Sequence, residues 1–185
     1  LVCPPRDRAA WGRLCRLLSL GQGRAPKGEC RLSLEDVAAH AQGQVLIALP
    51  PAGWSWRETE TGPASPGARI VPLHPGGSAP GVAGEAAAIR TLESELRQVR
   101  AHAGGTPVYL AAAHTYRGDD RARIAALAEV ARRAGTPLVA AGDVLYHSPH
   151  RRPLQDVLTC IREGTTVAAA GLSLAPNAER HLKSP

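Results

Sequence analysis

The residues best suited to chemistry cluster in the stretch from Pro137 to Gly164. A short apolar run, Leu138 to Ala141, stops at Gly142-Asp143, and a loop carrying His147 and His150 follows. His114 stands in a comparable place, at the end of a second apolar run from Pro107 to Ala113. Imidazole and carboxylate together suit a divalent cation such as zinc, manganese or iron. Neighbouring strands would place the ends of these runs ~5 Å apart, near enough for His114 and Asp143 to share a metal. The same residues admit a plainer reading: Asp143 could cap its turn, and His114 could bond a loop carbonyl. Spacing alone leaves both open.

The elements that must position these side chains are legible in the periodicity. Asp7 is expected to cap a helix from about Arg8 to Leu20, with Trp11, Leu14, Cys15 and Leu18 on its apolar face. Gly21 and Gly23 are expected to stop it. Ser33 and Asp36 form a capping arrangement before a short helix, Leu34 to Ala41, whose His40 reads as a surface residue. Gln44 to Leu49 reads as a buried strand. Glu85 to Ala103 is a strong helix pattern, with Ile89, Leu92, Leu96 and Val99 as its stripe and Glu93–Arg97 as a surface pair. Asp119 or Asp120 caps the next helix, which should bury Ile124, Leu127, Ala128 and Ala131. Pro153 opens an amphipathic helix that ends at Gly164. Strand, helix, strand, helix, strand predicts an α/β fold with a parallel sheet or barrel. Residues 50–84 hold many prolines and glycines and read as irregular loop. Within it, Ile70 to Leu73 is a candidate strand fragment, His74 a weak site candidate, and Trp54 and Trp56 candidates for packing onto the body.

Composition narrows the class. The 185 residues include 44% hydrophobic ones, enough for a core, but only 3% aromatic and no Phe, so that core must be aliphatic. The net charge of +6 permits contact with nucleic acid; an arginine-, alanine-, glycine- and proline-rich composition accounts for it equally well. The four cysteines form no C-x-x-C pair, which argues against a zinc ribbon and for free thiols in a reducing cytoplasm. No apolar run approaches the ~18 residues of a membrane span. The absence of Met suggests a piece of a longer reading frame.

Longer blocks carry a resemblance. Gly142-Asp143-Val144-Leu145-Tyr146-His147, then Arg151 to Gly164 (RRPLQDVLTCIREG), then Asn177 to Lys183 (NAERHLK) occur in one order; Asp7 to Leu18 and Arg24 to Cys30 join them. Together they resemble the polymerase-and-histidinol-phosphatase (PHP) domain of bacterial C-family DNA polymerases, and most closely the error-prone, translesion branch of the DNA polymerase III alpha-subunit family. The resemblance covers most of the chain and is weakest from Pro50 to Gly84.

It implies a segment of a distorted (β/α)7 barrel whose N-terminal strands lie upstream, with residues 1–164 as the PHP segment and 165–185 as an exit toward the polymerase core. It matches Asp143 to the aspartate of the last metal motif and His114 to a mid-barrel ligand. Metal-binding members carry Asp-x-His there, whereas this chain has Leu145 as the third residue, with His147 as the nearest replacement. No His-x-His occurs. The expectation is a degenerate zinc, manganese or iron site of His114, Asp143 and His147. The parent would be a cytoplasmic DNA-directed DNA polymerase acting in replication, repair and damage-induced translesion synthesis. Its partners would be DNA, deoxynucleotides and other translesion proteins, without a membrane. Its catalytic magnesium would be held outside this segment, which contributes no catalytic residue. A stand-alone metal-dependent phosphoesterase and a non-catalytic interaction module are the alternatives.

Overall fold

The computed structural model describes residues 3–50 and 82–184, with side chains from residue 87 in the second range. The expected loop 50–84, its Ile70–Leu73 fragment, His74, Trp54 and Trp56 thus lie almost wholly outside the described residues. Eight principal elements follow in order: α1 (Arg8–Gly23), α2 (Leu34–Ala39), β1 (Leu46–Ala48), α3 (Val82–His102), β2 (Val108–Ala112), α4 (Asp120–Ala134), β3 (Leu138–Ala140) and α5 (Arg152–Glu163). The strands form a parallel sheet in the order β1-β2-β3, Leu46 facing Val108 and Leu110 facing Leu138. The α/β class and parallel sheet are as expected. The three strands found among the described residues are too few to close a barrel.

The chain divides into two compact units. Of the described residues, the first holds 3–50, 87–112 and 125–140, and with them strands β1, β2 and β3. Its core is aliphatic, as the lack of Phe demanded. Leu92 and Leu96 of α3, Leu110 of β2, and Leu127, Val130, Ala131 and Ala134 of α4 pack as one buried cluster. Polar contacts close its edge. Glu93 pairs with Arg97 at 2.6 Å, as its spacing predicted, and also with Arg133 at 2.9 Å. Arg100 donates to the Ala134 carbonyl at 2.8 Å. A second cluster joins Leu46, Ala103 and Val108.

The first two expected caps are present, whereas among the described residues no side-chain cap of α4 by Asp119 or Asp120 is seen. Asp7 Oδ1 accepts from the Ala10 amide at 2.7 Å, and Ser33 and Asp36 form a reciprocal capping box. Two apolar stripes are rotated from expectation. In α1 the buried residues are Ala10, Leu17 and Gly21, while Trp11 is 58% and Leu18 43% exposed. Small residues win because the packing is close. A Cβ on Gly21 would lie 2.5 Å from Cys30 Sγ and 2.8 Å from Leu32, and the helix runs on through Gly21 to Gly23. Gly21 is therefore a contact point, not a stop. In α4 the shift is partial: Leu127 and Ala131 are buried as expected, but Ala128 is exposed and Val130 and Ala134 are buried with them.

Of the described residues, the second unit holds 82–86, 113–124 and 141–184. Its main helix is α5, with Pro153 in its first turn and Gly164 ending it at φ 65°. The Gly164 amide reaches the Cys160 and Ile161 carbonyls, and Thr165 N–H donates to Cys160 O at 2.9 Å. This left-handed cap requires Gly. Gly164→Ala meets no steric obstacle but forces the backbone, so it is expected to cost about 1 kcal/mol, read as a lowered unfolding midpoint.

Candidate functional site

The functional candidates lie in the second unit, on the loops that follow β2 and β3. After β2 the chain runs through Ala113, exposed His114, buried Thr115 and exposed Tyr116. Asp120, 3% exposed, organises this loop. Its Oδ1 accepts from the Thr115 amide at 2.9 Å, the Thr115 hydroxyl at 3.3 Å and Arg123 Nη2 at 2.8 Å. Its Oδ2 accepts from the Arg117 amide at 2.7 Å, and Arg123 also donates to the Ala113 carbonyl. Burial opposes charge on Asp120. The Thr115 and Arg117 amides, the Arg123 guanidinium and the charge of His114 outweigh it and hold the carboxyl well below the usual carboxylate range.

After β3, Asp143 adopts a positive φ of 47°, which Asp tolerates better than most residues. Arg180 holds it there. Arg180 Nη2 donates to Asp143 Oδ1 at 2.7 Å and Nε to its carbonyl at 3.0 Å. The next residues run beside 180–182: Leu145 N–H donates to Arg180 O at 2.8 Å, and Leu182 N–H to Tyr146 O at 3.2 Å. Tyr146 is buried while Leu145 and His147 are exposed. His150 Nδ1 lies 3.3 Å from the Ser148 hydroxyl.

Asn177 completes the arrangement. Its amide donates to the carbonyls of Thr115 at 2.9 Å and Tyr116 at 3.0 Å, while its Oδ1 accepts from Glu179 N–H at 3.0 Å. Tyr116 sits at a φ of 56°, uncommon for a bulky side chain. Its ring meets His114 edge-on at 4.5 Å and lies 5.5 Å from Lys183 Nζ, so strain is offset from both sides. Residues 174–183 are thereby fastened to both loops.

These residues do not fit a bound cation as they stand. Among the described residues no three His, Cys, Asp or Glu side chains gather to hold a metal, and Asp143 is neutralised by Arg180. Of the predicted trio, His114 belongs to the Tyr116 contact, Asp143 to the Arg180 pair, and His147 stands exposed. The side chains that do come together are Thr115, Asp120 and Arg123, with Asn177 on the Thr115 and Tyr116 carbonyls, and, as a separate pair, Arg180 and Asp143. Asp120 was expected as a helix cap; its carboxylate instead accepts from the preceding loop and from Arg123, partners that carried no periodic signal.

A cleft of about 920 Å³ opens beside them. Arg152, Gln155, Asp156, Thr159 and Arg162 of α5 line one side, with Arg117 and residues of 171–180 around it. Arg152 already donates to the Ala175 carbonyl at 2.6 Å. No histidine, cysteine or glutamate is among the described residues that line it. The geometry is that of a hydrogen-bonded joint.

Known proteins agree with the resemblance. A Caulobacter vibrioides protein named error-prone DNA polymerase is 38% identical over 185 residues, 100% of this chain and 14% of the relative. A Bradyrhizobium diazoefficiens protein of the same name is 43% identical over 98% of this chain and 13% of its own length. The chain is homologous to one segment of the error-prone DNA polymerases. A Rhodopseudomonas palustris relative of that name, 42% identical over 97% of the chain, again matches over 13% of its length. The chain thus spans about one-seventh of the curated relatives it matches. No protein-family model matches it. Among the described residues, no helix is long and apolar enough to cross a membrane.

Proposed function

We propose that this chain is the PHP segment of a cytoplasmic error-prone DNA-directed DNA polymerase that copies damaged templates during replication and repair. The observation that carries the reading is 38–43% identity over 97–100% of the chain to relatives of that name. In this reading the parent binds DNA and deoxynucleotides, works with other translesion proteins, and holds its catalytic magnesium outside these residues. Residues 1–164 serve as a scaffold of PHP-barrel type, and 165–185 lead toward the polymerase core. The joint of Asp143 with Arg180 and of Asn177 with the Thr115 loop supports a scaffold role, because it gives the exit segment one fixed path.

The His114, Asp143 and His147 site is proposed to have yielded to that joint. An arginine occupies the carboxylate that a metal would need, and Leu145 offers no lone pair. The test uses the full-length protein in primer extension on a template carrying an abasic site. Incorporation opposite and beyond the lesion is expected. Absence of any template-directed incorporation would sink the polymerase reading, and extension that always stops at the lesion would sink its translesion branch.

A further inference from the structure

Helix α5 turns a polar face into the cleft of the second unit. Arg152, Asp156, Thr159 and Arg162 fall at i, i+4, i+7 and i+10 and line one wall, about 15 Å from first to last. Arg117 and Arg180 enter from other stretches of the same unit. Four guanidiniums thus share the cleft with one carboxylate, Asp156, among the described residues that line it. The arginines differ in what they can still offer. Arg180 is engaged with Asp143, and Arg152 gives Nη2 to the Ala175 carbonyl. Arg162 meets its neighbour Glu163 at 3.0 Å, the two side chains being 71% and 49% exposed; so exposed an ion pair is worth little and yields to a better acceptor. Arg117 gives its amide to Asp120, and its guanidinium takes no partner among the described residues. Asp156 is the reverse case. Its side chain is 16% exposed, yet it accepts no hydrogen bond among the described residues, and Arg152 Nε stands 3.6 Å away, itself buried without a hydrogen bond. A carboxylate so placed is normally hydrogen-bonded, so this point of the wall suits donors brought by a ligand.

We propose that the cleft binds a ribonucleoside polyphosphate, with its phosphates on Arg117 and Arg162 and its ribose hydroxyls on Asp156. Each part follows from the wall. Guanidiniums are the side chains best matched to phosphate oxygens, because their N–H groups form a fixed fork. A carboxylate is the matching acceptor for the hydroxyls of a ribose. The volume of about 920 Å³ lies within the range of small-ligand sites, and Leu172, 65% exposed, gives a base an apolar surface beside the polar wall. A deoxynucleotide lacks the 2′-hydroxyl. The ligand is thereby set apart from the deoxynucleotides of the polymerase reading, and the site stands whether or not that reading holds.

The test measures binding of ATP, 2′-deoxy-ATP and inorganic tripolyphosphate to the full-length protein by equilibrium dialysis. DNA is left out and a chelator is present, which suppresses metal-dependent nucleotide binding at a polymerase centre. ATP is expected to bind about tenfold more tightly than either of the other two, the effect of one hydrogen bond to a charged group. Arg117→Ala and Arg162→Ala, both at exposed positions, should each weaken ATP about tenfold while the unfolding midpoint stays that of the wild type. Asp156→Ala should bring ATP down to the level of 2′-deoxy-ATP and leave tripolyphosphate no weaker than before. No saturation by ~1 mM ATP, or an ATP affinity indifferent to both arginine changes, would overturn the site. Tripolyphosphate or 2′-deoxy-ATP binding as tightly as ATP would overturn the ribonucleotide assignment.

Discussion

Asp120→Ala in the full-length protein is expected to lower the stability of the segment by about 3–5 kcal/mol, the cost of removing one partner from a buried charge pair. The change strands the Thr115 and Arg117 amides and leaves the 12%-exposed Arg123 side chain without its carboxylate. Its effect should spread. The Thr115 and Tyr116 carbonyls are the two that Asn177 grasps, so the exit segment loses its anchor when the loop slackens. Hydrogen exchange should rise in residues 174–183 as well as in 113–119. Unchanged exchange in 174–183 would show that Asn177 does not transmit the order of this loop.

The same residue sets an acid limb. Its folded carboxyl titrates below its unfolded value of about 3.9. The stabilisation it supplies is therefore complete above that value and is lost as pH falls through the folded one. Wild type and Asp120→Asn should differ most above pH ~5 and converge progressively below pH ~4, as read by urea unfolding at each pH. A gap that widens on acidification would contradict the assignment.

Leu127→Ala is the second large effect, expected at about 3–5 kcal/mol. Leu127 is fully buried and packs in the cluster that joins α3, β2 and α4. The backbone around it is held by the sheet and by the Glu93–Arg133 and Arg100–Ala134 contacts, so the cavity cannot collapse far. Leu127→Ile, which keeps the volume, should cost less than ~1.5 kcal/mol. Equal losses in the two variants, measured as denaturant midpoints at unchanged slope, would show that shape and not volume governs this position. Neither change touches the Thr115–Asn177 joint, so exchange in residues 174–183 should follow Asp120 and not Leu127.

The sequence by itself determined the local rules: which runs become strands, which stripe α3 buries, where Asp7, Ser33 and Asp36 cap, and that Gly164 ends α5. These follow from periodicity and from backbone chemistry within a few residues. The blocks around Asp143, Pro153 and Asn177 also carried enough order to mark kinship with the error-prone DNA polymerases. Tertiary structure alone decided which face of an ambiguous helix turns inward. In α1, Trp11 and Ala10 are adjacent, and the small residue is buried because a close approach by another segment leaves no room for a ring. It also decided the fate of Asp143. A carboxylate at the end of a strand suits a cation of any kind, and the one that reached it was a guanidinium 37 residues further along the chain. No local rule specifies a partner at that separation; it depends on where the fold carries the backbone of residues 177–182.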